Sequence, residues 1–249
     1  MLNAAQPQLP LWSDDNTAEG WAVRESRRAR RLAVRVFHTG RVEIVVPRRT
    51  SRREVAQFLD SHRDWIESKL AHARRHAVVP EPFPPHRIEL AACGLSWRVH
   101  LAGGSGRLTA RAIAPGILAL LGNASDARLA RRALRAWLAQ TARAVLAPAL
   151  AGCARDIGHE YRRIAIRRQR TRWGSCSARG TISLNGCLLF QTPAVMRYLL
   201  VHELVHTRHM NHSPAFWAGV ARHCPDYQRL DAELLDGWRR VPSWVFGEA

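Results

Sequence analysis

His202-Glu203-Leu204-Val205-His206 places two imidazoles four residues apart. In a helix that spacing puts them one turn apart on one face, because the backbone rises about 1.5 Å per residue. Two imidazoles so placed can converge on a tetrahedral zinc ion and leave room for a third ligand and a water. Glu203 projects beside that water as a general base. The chemistry such a set performs is hydrolysis by an activated water.

The neighbouring residues supply the helix. Thr192-Pro193 reads as an N-cap followed by proline at the first helical position, and Val195, Leu199, His202 and His206 then share a face. Asn211 is the expected stop, and Ser213-Pro214 opens a second helix through Phe216, Trp217 and Val220. The third ligand should approach from outside the metal helix, and His212 sits in the turn between the two helices. His209 is the rival on the same helix face, but a rise of about 10 Å from His202 is awkward for one shared ion. An acidic ligand from farther along, Glu233, is a third choice. Position 209 is His where the metzincin pattern requires Gly.

The runs Arg172-Trp173-Gly174-Ser175-Cys176-Ser177, Ile182-Ser183-Leu184-Asn185, the pentapeptide itself, and Asn211-His212-Ser213-Pro214-Ala215-Phe216-Trp217 resemble the YgjP-like metallopeptidases, relatives of the SprT-like group. The resemblance is close over residues 160–240 and weaker over Ser26 to Pro47. It implies zinc held by His202, His206 and His212, with Glu203 as the acting carboxylate. It also implies a zincin-like metallopeptidase domain. Gly186, where an aromatic is frequent, and Thr207, where an aliphatic residue is usual, depart from the pattern on the substrate side.

Composition narrows the setting. The chain has 249 residues, 47% of them hydrophobic, enough to bury one good core or two small ones. Nothing approaches the roughly 18 consecutive apolar residues of a membrane span, and Met1 to Asp15 lacks a signal-peptide pattern. A cytoplasmic protein without membrane contact is expected. Five cysteines without C-x-x-C spacing argue against a disulfide framework or a second zinc knuckle. The net charge of +18, with a pI near 11.5, suits non-specific contact with nucleic acid or nucleotides. Against that, Lys69 is the sole lysine and the arginines are spread over every segment, as a drift in composition would leave them.

Residues 1–20 are expected to be a disordered leader, 21–122 a β-rich region with one helix, and 123–249 the metallopeptidase domain, for an α+β fold with a small antiparallel or mixed sheet beside the metal helix. Leu32 to Phe37 and Val42 to Val46 read as a hairpin around His38-Thr39-Gly40-Arg41. Ser51 and Glu54 form a capping box for a helix carrying Val55, Phe58, Leu59, Ile66 and Leu70, with Trp65 beside them. The prolines at 80, 82, 84 and 85 mark a linker over 77–86. Four strands follow, Ile88–Ala91, Ser96–Leu101, Leu108–Ile113 and Ile117–Leu121, expected as an antiparallel sheet. A long helix from Ser125 to Leu150 should bury Leu129, Leu134, Trp137, Leu138 and Val145 and turn an arginine-rich face to solvent. Tyr161–Ile166, Trp173–Ser177 and Thr181–Leu184 are further strands, the last two joined at Ala178-Arg179-Gly180.

A strand edge beside the metal helix could take an extended peptide as an added strand. Arg172, Trp173, Ser175, Asn185 and Tyr227 are the candidate cleft residues, although Trp173 as plain core and Gly174 as a tight turn fit equally. Tyr198, Tyr227, His223 and Arg172 are candidates for the oxyanion donor, and Asn185, Asn211 and Asp226 for orienting the imidazoles. Cys176 reads as a small buried thiol, not a nucleophile. A zinc peptidase acting on protein or peptide is the leading reading. A metal-dependent hydrolase of nucleotides or other phosphate compounds comes second, and a DNA-associated module with structural zinc third.

Overall fold

A computed structural model describes residues 21–37, 40–75, 82–104, 106–123 and 125–246. The leader, the turn residues His38-Thr39 and residues 77–81 of the expected linker lie outside them. The chain divides into two compact units, Met1–Val78 and Val79–Ala249. The division falls within the stretch read as a linker, and not at residue 122.

In the first unit, β1 (Ala22–Ser26), β2 (Ala33–Val36) and β3 (Val42–Pro47) form a sheet of order β1-β3-β2. The expected hairpin of β2 and β3 is antiparallel, while β1 adds to β3 in parallel. Val42, Ile44, Val45 and Val46 are buried, as a central strand requires. Helix α1 (Arg52–Ser61) opens with the expected capping box: Glu54 N–H donates to Ser51 Oγ at 3.2 Å and Ser51 N–H to Glu54 Oε2 at 2.7 Å. The single helix expected through Leu70 breaks at His62, and α2 (Arg63–Arg75) follows. His62 Nδ1 lies 2.8 Å from Phe58 O, and its own N–H turns to Leu59 O at 3.1 Å. The ring thereby takes the carbonyl that the helix ladder would have used.

The second unit holds two sheets. Strands β4 (Arg87–Leu90), β5 (Leu95–Leu101), β6 (Thr109–Ala114) and β7 (Ile117–Leu121) run in the order β4-β5-β7-β6. The sheet is mixed, not antiparallel, because β7 inserts beside β5 in parallel register. Helix α3 (Ala127–Ile157) starts at Asp126, whose carboxylate accepts from Arg128 N–H at 2.8 Å and Leu129 N–H at 3.2 Å. It passes through Pro148 and ends at Gly158, φ +65°, two turns beyond the expected stop. Leu134, Trp137 and Leu138 are buried as expected and Val145 is half-buried. Leu129, expected in the core, is 43% exposed: it aligns with Ala133 and Trp137 but sits in the first turn.

Strands β8 (Arg163–Arg167), β9 (Gly174–Cys176) and β10 (Thr181–Asn185) run β8-β10-β9, with β10 parallel to β8 and antiparallel to β9. Gly180, φ +70°, makes the tight turn into β10. A buried 3-10 turn, Gly186–Phe190, leads into α4 (Pro193–Val205), followed by α5 (Pro214–His223), α6 (Tyr227–Asp236) and α7 (Ser243–Phe246). Helix α4 buries Val195, Tyr198, Leu199, Leu200, Val201, Leu204 and Val205, as its nearly continuous apolar sequence demands, while Ala194 and Arg197 in its first half stay exposed. Ile88, Leu90, Leu118 and Leu120 of the four-stranded sheet share one core with α3 and α4, which is why residues 87–121 belong with the metal helix. Among the described residues, no helix is long and apolar enough to cross a membrane.

Candidate metal centre

Helix α4 begins as its sequence dictates, with Thr192 Oγ accepting from Val195 N–H at 3.3 Å and Pro193 in the first turn. It ends at Val205, with His206 as its C-cap, well before Asn211. Thr207 and Arg208 turn back onto Leu204 O and Val205 O. The early end takes His209 off the helix face it was expected to share. Its backbone carbonyl accepts from His206 Nδ1 at 2.9 Å. A carbonyl only accepts, so Nδ1 carries the proton and Nε2 of His206 keeps its lone pair for a ligand.

Ser213 caps α5, accepting from Phe216 N–H at 3.4 Å, and this start fixes the turn that returns His212 to the metal helix. The ligand atoms of His202, His206 and His212 all lie within 4.8 Å of one another, with Nε2 of His202 and His212 3.2 Å apart. An ion at zinc's distance of about 2.05 Å from each imidazole, with tetrahedral angles, needs nitrogens about 3.3 Å apart. The His202–His212 pair has that spacing, with His206 within 4.8 Å of both, so the donor set suits such an ion. Burial, reinforced by His206 and His212, lowers the His202 pKa to about 3. His206 is lowered by burial too, against the opposing bond to His209 O. Neutral imidazoles are what a metal requires.

Beneath the rings lies Phe216, fully buried, with centroids 4.4 Å from His206, 4.7 Å from His212 and 4.9 Å from His202. His212 stacks on Trp217 at 5.5 Å, and Trp217 on Tyr227 at 5.2 Å. His202 is oriented from behind: its Nδ1 lies 3.3 Å from Tyr198 Oη, which donates to Asp231 Oδ1 of α6 at 2.7 Å. With the phenol proton given to Asp231, the phenol oxygen accepts from Nδ1–H, and Nε2 of His202 is left free for the ion.

Glu203 is 3% exposed, and its Oε2 is buried with no hydrogen-bond partner among the described residues. Burial raises its pKa to about 8, against a smaller lowering by the Arg172 guanidinium. Space for the carboxyl comes from Gly174 on β9. A Cβ there would collide with Oε1 and stand 2.8 Å from Cδ and 2.9 Å from Cγ of Glu203. Gly174 is thus required by a side chain on the neighbouring helix, not by a turn.

The YgjP-like metallopeptidase domain family matches residues 30–236. The chain belongs to that family. It is also similar to a solved structure, the metallopeptidase zymogen of Pyrococcus abyssi abylysin, with 23% identity and a TM-score of 0.36 over 39% of this chain and 99% of that one. A search of curated proteins found no match. Membership makes this YgjP-like chain a metallopeptidase in general terms, hence a hydrolase of protein or peptide.

Of the sites expected from sequence, the YgjP-like fold brings together His202, Glu203, His206 and His212, with Arg172 close enough to act on Glu203. Glu233 is taken up elsewhere, by Thr192 Oγ1 at 3.2 Å and Arg240 at 3.0 Å, at the far end of α4. Asn185 is fully buried, donating to Gln169 O at 2.7 Å and Arg172 O at 2.9 Å. It ties together the loop between β8 and β9. Trp173 is buried and stacks on Trp238 at 4.0 Å. Ser175 is half-buried on the edge strand opposite Ser183. Tyr198 is the inner support of His202, and His223 meets His159, their centroids 6.2 Å apart. Asp226 precedes α6 beside Arg229, and Asn211 is exposed. Burial, and then the Glu203 charge, raise the Cys176 pKa, against a nucleophilic role. Gly174, Tyr198 as a support, Asp231 and Phe216 were not singled out for these roles; the i, i+4 spacing of Tyr198 and His202 was the one available signal.

Three outcomes follow from this geometry. Gly174→Ala should displace the Glu203 carboxyl and cut activity by about 10²-fold or more while leaving metal affinity within a few-fold, read by kinetics and metal-competition titration. Tyr198→Phe should weaken metal binding about 10- to 100-fold by removing the acceptor for His202 Nδ1; unchanged affinity would contradict the relay. The third concerns pH. In metal-free protein the native state keeps the Glu203 proton between pH 4.5 and about 8, where the unfolded chain has released it, so stability falls as pH rises through that window. Metal-free Glu203→Gln should accordingly melt above the parent at pH 9 and level with it at pH 4.

Proposed function

We propose that this chain is a zinc-dependent peptidase in which His202, His206 and His212 hold one zinc ion and Glu203 is the general base. The observation that carries the reading is the convergence of three imidazoles, with His202 and His212 at a spacing zinc takes, at the helix that carries the buried Oε2 of Glu203, which has no hydrogen-bond partner among the described residues. When bound, zinc supplies a Lewis acid and lowers the pKa of water toward about 7. The chain's own groups do the rest. Glu203 Oε2 accepts the proton of the attacking water and returns it to the leaving amine nitrogen. Arg172 is exposed on the loop before β9 and its charge reaches Glu203, which makes it the candidate to steady the oxygen that gains negative charge.

Strand β9 lies at the edge of its sheet, and its Gly174 contacts Glu203. An extended peptide adding to that edge would be held by backbone hydrogen bonds at Gly174–Cys176, next to the carboxylate that must meet the water. The stacked Trp217 and Tyr227 form an aromatic flank beside His212. The five cysteines are unpaired, which supports a cytoplasmic setting.

Zinc-loaded protein would be tested on a quenched-fluorescent peptide library, on a denatured protein and on nucleoside triphosphates. Peptide cleavage should be seen, and Glu203→Gln should lower it about 10²- to 10⁴-fold while the variant still binds one zinc. Hydrolysis of triphosphates without cleavage of any peptide would replace the peptidase reading with a phosphohydrolase one.

A further inference from the structure

The first half of α3 carries a feature that the metal centre does not use. Two cavities, of about 670 and 330 Å³, adjoin there and share Leu129 and Arg132. Six arginines line them: Arg107 and Arg111 from the β6 side, Arg128, Arg132 and Arg135 from α3, and Arg168 from the loop after β8. Asp126 is the one acid among the lining residues, and its carboxylate is engaged as the N-cap of α3. Among the described residues, the smaller cavity is bounded by four arginines and Leu129.

Part of this cluster is held in place. Arg135 donates through Nε and Nη2 to Trp244 O at 3.2 and 3.1 Å, Arg168 to Val245 O at 2.8 Å, and Arg170 to Phe246 O at 2.8 Å. The three carbonyls belong to consecutive residues of α7, at the end of a helix where carbonyls lack ladder partners. Trp244, Val245 and Phe246 are buried, so the guanidinium groups are anchored to the core instead of waving in water. Burial and then the charges of Arg168, Arg131 and Arg170 lower the Arg135 pKa. These like charges repel, and an anion placed among them relieves that repulsion.

We propose that the groove lined by Arg128, Arg132, Arg135 and Arg168, continuing to Arg107 and Arg111, binds phosphate groups of a polyphosphate or nucleic-acid ligand. It shares no residue with the metal centre. A carboxylate brings one charge and two oxygens, enough for one bidentate arginine, whereas a phosphate presents more oxygens and successive phosphates can serve both cavities. Guanidinium groups match that anion with paired donors, and the backbone carbonyls fix their directions in advance.

The test uses the full chain at about 0.15 M salt and measures anisotropy of a labelled single-stranded oligonucleotide, with inorganic triphosphate and a polyglutamate peptide as competitors. Arg128→Ser with Arg132→Ser should weaken oligonucleotide or triphosphate binding about tenfold or more and reduce the salt dependence by about two charges. Both arginines are exposed, neither makes one of the carbonyl bonds above, and melting temperatures matched to the parent would confirm folding. The charge-matched pair Arg179→Ser with Arg222→Ser should change binding less than about twofold. Oligonucleotide binding that triphosphate does not displace identifies nucleic acid as the source of the phosphates; tight triphosphate binding identifies a free polyphosphate. Equal losses in the two double variants, no binding of either phosphate ligand, or polyglutamate binding as tightly as both would overturn the proposal.

Discussion

Three imidazoles whose ligand atoms converge, one of them adjacent in sequence to a glutamate whose buried carboxylate oxygen has no hydrogen-bond partner among the described residues, make an arrangement a protein cannot hold cheaply without a cation. Nε2 of His202 and Nε2 of His212 stand 3.2 Å apart, and Glu203 Oε2 is out of water without a donor among the described residues. Each neighbouring element answers to this constraint. Helix α4 stops at Val205 so that His209 O can take the proton of His206, and α5 starts at Pro214 so that His212 can return. Strand β9 offers a glycine where any other residue would collide with Glu203. Helix α6 reaches the centre through Asp231 and Tyr198.

The supports are as particular as the ligands. Two of the three imidazoles have a proton acceptor at Nδ1: a backbone carbonyl for His206, and a phenol tied to a carboxylate for His202. Phe216 packs against all three rings. An ion arriving at this site therefore meets three rings held by packing, two of them with the tautomer already set, and little ordering is left for binding to oppose. His212 lies on an exposed loop.

Much of this could be read along the chain, where the signals are local. The Thr192-Pro193 and Ser213-Pro214 starts, the Ser51 capping box and the Gly180 turn are encoded within a few residues and form as expected. The ligand atoms of His202, His206 and His212 also come within 4.8 Å of one another. What escaped depends on partners distant in sequence. Alternation marks β7 as a strand but does not say that it slips between β5 and β6, parallel to the first. The end of α4 has no glycine to announce it, since a turn through Thr207 and Arg208 makes the stop. The meaning of Gly174 lies in a glutamate 29 positions on, and Asn185, polar and near the motif, proves to be a clamp on Gln169 and Arg172.

The most direct test of the central claim is X-ray absorption at the zinc edge of the loaded protein, compared with His212→Ala. The account predicts three imidazole nitrogens and one oxygen scatterer at about 2.0–2.1 Å, with one imidazole lost in the variant. A sulfur ligand, a fourth protein nitrogen, or a spectrum that His212→Ala leaves unchanged would contradict it.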